Sequence, residues 1–182
     1  MKWAILSDVH GNLEALQAVL ADLRREGAEK IAFLGDAVGY GANPGECLLL
    51  LREQTEFLVA GNHDWGAVGL TDVSYFNTAA KAAVQWTGGE LAEEDRTFLR
   101  RLPLVHQAGG ITFVHGTPNE PGEWNYISTY PEAEQAFGAL EGELAFIGHS
   151  HRPVILAKGG KGSVATLEQE AAVLEKGTRY II

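Results

Sequence analysis

Trp3-Ala4-Ile5-Leu6-Ser7-Asp8-Val9-His10 decides the reading of this chain: a short apolar run that ends abruptly in a carboxylate and an imidazole two residues apart. The same grammar returns four times. Ile31-Ala32-Phe33-Leu34 runs into Gly35-Asp36, and Phe57-Leu58-Val59-Ala60 into Gly61-Asn62-His63-Asp64. Ile111-Thr112-Phe113-Val114 meets His115-Gly116, and Leu144-Ala145-Phe146-Ile147 meets Gly148-His149-Ser150-His151. Apolar runs of this length, bounded by glycine and rich in β-branched or aromatic residues, predict buried strands covered on both faces.

Helical periodicity lies between the first strands. Leu13, Leu16, Leu20 and Leu23 share one face, with Asn12 as the expected N-cap. A second helix is predicted from Pro44 to Glu53, with Pro44 in its first turn. Ser74 to Arg101 is again helical, with a break expected at Gly88-Gly89, and the acidic run Glu90 to Asp95 reads as a solvated helix start. Pro131 to Leu140 forms a further helix. Beyond His151 the texture changes, and Pro153–Ala157, Ser163–Leu167, Ala171–Leu174 and Arg179–Ile182 predict short antiparallel strands. Strand, helix, strand implies a parallel sheet with right-handed crossovers, which puts ligands beyond the carboxyl ends of the strands. All five polar clusters would therefore face one crevice.

Composition narrows the chemistry. The 182 residues are 46% hydrophobic, enough for the core of one domain and too few for a large second one. Fourteen Lys and Arg against 24 Asp and Glu give a net charge of −10, with no basic block, so the electrostatic footprint of a duplex nucleic-acid binder is missing. The single cysteine, Cys47, excludes a disulfide framework and a thiolate zinc site, suits a reducing cytoplasm, and reads as a small core residue. No uninterrupted apolar stretch approaches the roughly 20 residues of a membrane span.

Five of the six histidines, His10, His63, His115, His149 and His151, fall in the strand-end clusters. With Asp8, Asp36 and Asn62 they form an imidazole and oxygen donor set larger than one tetrahedral zinc can use. In Asp8-Val9-His10 and His149-Ser150-His151, residues i and i+2 of an extended segment project to one side, so each pair can grip one metal site or straddle two. A carboxylate such as Asp36 can bridge cations about 3.5–4 Å apart; ions so paired acidify a shared water, and the nucleophile is then hydroxide, not a side chain. The ligand types suit Mn²⁺, Fe²⁺, Zn²⁺, Co²⁺ or Ni²⁺ better than Ca²⁺, with Mn²⁺ the first expectation.

Together, Asp8-x-His10, Gly35-Asp36, Gly61-Asn62-His63-Asp64, His115-Gly116 and Gly148-His149-x-His151 resemble the calcineurin-like metallophosphoesterase superfamily in order and spacing. Asp8-Val9-His10-Gly11-Asn12 and Gly35-Asp36-Ala37-Val38-Gly39-Tyr40-Gly41 are similar to its small bacterial and archaeal single-domain phosphodiesterases. The resemblance implies an α/β fold, a two-sheet β-sandwich flanked by helices, with a dinuclear metal site at the carboxyl ends of the strands. It implies that Asp8, His10 and His151 hold one metal, that Asn62, His115 and His149 hold the other, and that Asp36 bridges them. His63 would then act beside the second metal as acid or transition-state stabiliser. Asp64 would orient the His63 imidazole and favour its charged form.

Asn12, Tyr40 and Arg152 flank the motifs as candidate substrate contacts. Trp124, Asn125 and Tyr126 are read either as tucked loop residues or as a pocket wall, and His106 as structural. The implied activity is hydrolysis of a small phosphoester, a diester first, with monoesters and dinucleoside polyphosphates as alternatives within the class. A non-catalytic metal-binding scaffold on the same fold is the competing class, against which the presence of His63 argues. Small family members commonly continue past a strand like Tyr180-Ile181-Ile182 into further strands. The expectation is thus one domain over 1–182 lacking those strands, with an open sheet edge that favours homo-oligomers.

Overall fold

The computed structural model describes residues 1–160, 162–169 and 171–182. Its first half is the predicted parallel unit: β1 (Trp3–Leu6), α1 (Leu13–Arg25), β2 (Lys30–Phe33), α2 (Pro44–Gln54) and β3 (Phe57–Leu58), with strand order β1-β2-β3. Asn12 caps α1, its Oδ1 accepting from Ala15 N at 3.0 Å, and Leu16 and Leu20 are buried. Pro44 occupies the first turn of α2, which buries Cys47, Leu48 and Leu51.

Three helices follow, α3 (Asn62–Ala67), α4 (Thr78–Glu90) and α5 (Glu93–Arg101). The expected break at Gly88-Gly89 is not there: α4 runs through both glycines and ends at Glu90. Gly88 serves close packing instead, since a Cβ on it would lie 2.5 Å from the Ala67 carbonyl oxygen at the end of α3. The acidic run is accordingly split, with Glu90 closing α4 and Glu93, Glu94 and Asp95 opening α5, where they favour the helix N-terminus.

The second sheet, in the order β4-β5-β6-β9-β7-β8, is mixed. β4 (Val105–Ala108) is antiparallel to β5 (Ile111–Val114), which lies parallel to β6 (Leu144–Phe146). β9 (Thr178–Ile181) joins β6 in parallel and β7 (Leu156–Gly159) antiparallel, and β8 (Ala165–Thr166) closes the row. Ala171–Leu174, expected as a strand, lies in irregular chain, with Val173 and Leu174 exposed and without a ladder. α6 (Tyr130–Ala139) opens with a capping box between Thr129 and Glu132 and buries Ala133, Ala136 and Phe137 in the second sheet's core cluster, beside Leu156 and Ile181.

Ala32, Leu34 and Val59 of the first unit pack with Phe113 of β5 between the two sheets. His106 of β4 is stacked on Phe57 with ring centroids 3.8 Å apart, a structural place. The result is a two-sheet α/β sandwich with helices outside it. Among the described residues, no helix is long and apolar enough to cross a membrane.

Candidate metal centre

Because β1, β2 and β3 run parallel, and β5 runs parallel to β6, the loops after them open on one edge. Backbone hydrogen bonds lock these loops together: Asp8 N donates to Gly35 O at 3.0 Å, His10 N to Asp36 O at 2.9 Å, and Gly148 N to His115 O at 2.8 Å. The turns are sharp. Asp8, His10, Asp36, Tyr40, His149 and His151 all have positive φ, between 51° and 67°. Left-handed backbone at non-glycine residues is costly and clusters where a site needs side chains aimed in one direction. Glycine supplies the clearance, since a Cβ at Gly61 would overlap the Asp36 carboxylate and one at Gly148 would lie 2.7 Å from Asp8 Oδ2.

Three overlapping groups of possible metal donors result among the described residues, Asp8 with His10 and His151, Asp36 with His115 and His149, and a third that joins His63 to His10 and Asp36, the donor atoms within each lying inside 4.8 Å of one another. Asp8 Oδ1 stands 3.2 Å from His151 Nε2 and 3.8 Å from His10 Nε2. Asp36 Oδ2 reaches toward the first two groups, 3.7 Å from His10 Nε2 and 3.3 Å from His115 Nε2. Asn62 Oδ1 lies 3.2 Å from His115 Nε2, adding a neutral oxygen to the second group.

The far nitrogens of these rings are tied to backbone carbonyls. His10 Nδ1 donates to Val38 O at 3.1 Å and His115 Nδ1 to Leu34 O at 2.7 Å, which turns both Nε2 atoms inward. His149 is reversed: its Nε2 donates to Trp124 O at 2.9 Å, leaving Nδ1 for the centre. Pinning one ring nitrogen to orient the other is how proteins hold metal-binding histidines. The fit to divalent transition ions is therefore good, with inward imidazole nitrogens and carboxylate oxygens at the bottom of a cleft.

Electrostatics agrees with so crowded a donor set. Burial works against the Asp36 charge, yet the neighbouring His115 holds the carboxyl well below its usual range. Burial likewise opposes charge on His115, but Asp36 and Asp8 raise it to about 9. Burial and the nearby His115 lower His149 to about 4.

The expected coupling of Asp64 to the His63 ring is not found. The Asp64 carboxylate accepts from the backbone N–H groups of Asp36 at 2.8 Å, Gly61 at 3.0 Å and Val38 at 3.2 Å. Its position at the third residue of α3 turns it back onto the loops, where it braces the site from behind. Among the described residues His63 Nδ1 is buried without a hydrogen-bond partner, and burial drives the imidazole down to about 4 against the pull of the Asp36 charge, so no contact with Asp64 holds it charged.

The candidate substrate contacts separate. Tyr40 lines the cleft, and its ring meets those of His63 at 4.7 Å and His10 at 4.9 Å. Arg152 lines a different groove, of about 580 Å³, on the His151 side. Asn12 is exposed, spends its amide oxygen on the α1 cap, and is absent from the cleft lining. Of the loop residues left open by sequence, Tyr126 lines the cleft and stacks on His149, centroids 4.0 Å apart and planes within 14°. Trp124 supplies the carbonyl for His149. The aromatic pair behind two prolines was the sequence signal; backbone carbonyl partners leave no signal in residue identity.

A family model described as calcineurin-like phosphoesterase matches residues 1–177. An uncharacterised protein of Methanocaldococcus jannaschii is 38% identical over 98% of this chain and 73% of its own length. A crystal structure of a metallophosphoesterase from Sphaerobacter thermophilus superposes with a TM-score of 0.80 at 38% identity, covering 100% of this chain and 74% of that one. A symmetrical bis(5'-nucleosyl)-tetraphosphatase of Coxiella burnetii is 29% identical over 79% of this chain, which spans only about half, 51%, of that protein.

Proposed function

The chain belongs to the calcineurin-like phosphoesterase family, and from that premise we propose that it is a two-metal hydrolase of phosphodiesters. One observation carries the reading: Asp36 Oδ2 lies 3.7 Å from His10 Nε2 and 3.3 Å from His115 Nε2, within reach of the first two donor groups. Asp8, His10 and His151 would hold one ion, and Asn62, His115 and His149 the other, with Asp36 shared. When bound, two such ions supply Lewis acidity toward the phosphoryl oxygens and an acidified water as nucleophile. Mn²⁺ is the first choice, and Fe²⁺, Zn²⁺, Co²⁺ and Ni²⁺ fit the same donors.

The chain's own residues do the rest. His63, which follows Asn62 and lines the cleft, is positioned to donate a hydrogen bond or proton to the leaving oxygen. Asp64 holds the Asp36 and Gly61 backbones together, so that its contribution is to position. Asn62, a neutral amide, completes its donor group without another negative charge. Against a non-catalytic scaffold stands His63 itself, an imidazole in the cleft that the proposed ligand set does not require. The single buried Cys47 is consistent with a cytoplasmic protein.

A second reading, hydrolysis of a dinucleoside polyphosphate, is favoured by the Coxiella burnetii relative. The test is a substrate panel on Mn²⁺-loaded protein: bis(4-nitrophenyl) phosphate, 4-nitrophenyl phosphate and diadenosine tetraphosphate. A diester kcat/KM well above the other two is expected. Tetraphosphate turnover above that of the diester would transfer the assignment to the second reading.

A further inference from the structure

Beside the metal cleft, and sharing Tyr40, His63, Tyr126 and His149 with it, opens a groove of about 450 Å³. Its far wall is built by Thr71, Asp72, Tyr75, Phe76 and Asn77, tied to the opposite loop by a hydrogen bond from Trp124 Nε1 to Thr71 Oγ1 at 3.1 Å. The groove is rich in rings. Phe76 meets His63 with centroids 5.0 Å apart, and His63 meets Tyr40, so aromatic surface runs without interruption into the cleft. Tyr126 and Tyr75 remain 54% and 91% exposed, rings that burial in the core does not explain.

Charge narrows the ligand. Among the described residues the lining carries Asp72 and Glu123 but no lysine or arginine. Asp72 is fixed by Ser74, whose N–H and hydroxyl donate to its two oxygens at 2.8 and 2.7 Å and keep the carboxyl below its usual range. A second phosphate would meet repulsion there, whereas a flat neutral group would gain stacking and would find hydrogen-bond acceptors at the groove end.

We propose that this groove is a substrate subsite for an uncharged planar aromatic arm, a nucleobase, stacked against Tyr75 and Tyr126 while the phosphoryl group occupies the metal cleft. The inference rests on the phosphoester reading above and sharpens it: the substrate is a nucleoside phosphoester whose base, and not a further phosphate, fills the groove.

Equilibrium binding tests it without turnover. Adenosine 5′-monophosphate and ribose 5-phosphate present the same phosphate and sugar with and without a base, and their affinities for Mn²⁺-loaded protein are read by calorimetry. Stacking of one base typically supports a preference of about tenfold or more for the nucleotide. Tyr75→Ala, at an exposed position that folding does not need, should cut the preference severalfold, and Tyr75→Phe, which keeps the ring, should restore it. Equal affinities in the wild type, or an undiminished preference in both Tyr75→Ala and Tyr126→Ala, would overturn the subsite. A base preference in a protein that hydrolyses no diester would uphold the subsite and refute the catalytic reading. Diester hydrolysis without a base preference would do the reverse.

Discussion

The Asp64 carboxylate accepts a hydrogen bond from the backbone N–H of Asp36 at 2.8 Å, so a residue behind the centre fixes the left-handed turn, φ 58°, of the residue at its middle. Asp64→Asn exchanges an acceptor oxygen for a donor and leaves a buried N–H unpaired, at a cost of about 1–3 kcal/mol. The variant should unfold at lower denaturant and bind less metal. Wild-type stability together with full metal content would show that the brace is not needed.

Asp36→Asn should weaken both ion positions, whereas Asn62→Ala should chiefly empty one. Elemental analysis after equilibration with limiting Mn²⁺ reads the difference. Two full equivalents retained by Asp36→Asn would remove Asp36 from the shared position.

His63→Ala should keep both metals and lose activity by about 10²–10⁴, the usual worth of a placed proton donor. The loss should be smaller for a nitrophenyl leaving group than for an alkyl one, because a good leaving group needs less protonation. Equal losses across leaving groups would assign His63 to charge stabilisation, and a lost metal would make it a ligand.

These roles were legible in the sequence to different depths. Their place at strand ends pointed to Asp8, His10, His149 and His151 as candidate donors, but the extended i, i+2 geometry is not there: all four have left-handed backbone, φ between 51° and 67°, and His149 and His151 fall in different donor groups. Asp64 differs from expectation: the resemblance implied a His63 partner, but the helical turn of α3 points its carboxylate back at backbone amides. Tyr126 stayed ambiguous because a loop aromatic reads alike whether tucked or stacked on a ligand candidate. Gly88-Gly89 misled because glycine marks a helix break and a close helix contact equally well, and only the Ala67 carbonyl decides between them. Ala171–Leu174 has apolar residues of strand type but joins no strand among the described residues.

Cys47 carries the clearest pH dependence away from the centre. Burial, with Glu46 and Glu14 nearby, pushes its thiol up to about 11, whereas an unfolded thiol ionises near pH 8.5, an approximate reference value. The folded state thus keeps a proton that the unfolded chain releases, and the stability this gives is complete below about pH 8.5 and lost as pH rises toward 11. Unfolding free energies of wild type and Cys47→Ala should therefore converge with rising pH across that window. A constant difference would contradict the buried, protonated thiol.

If two ions held by one shared carboxylate are needed for hydrolysis, activity must follow metal occupancy, which a titration reads. Protein stripped by chelation and verified metal-free should not hydrolyse bis(4-nitrophenyl) phosphate. Added Mn²⁺ should restore turnover along a curve that saturates at two equivalents per chain, with Asp36→Asn failing to follow it. Undiminished turnover by the verified metal-free protein, or saturation at a single equivalent, would contradict the account.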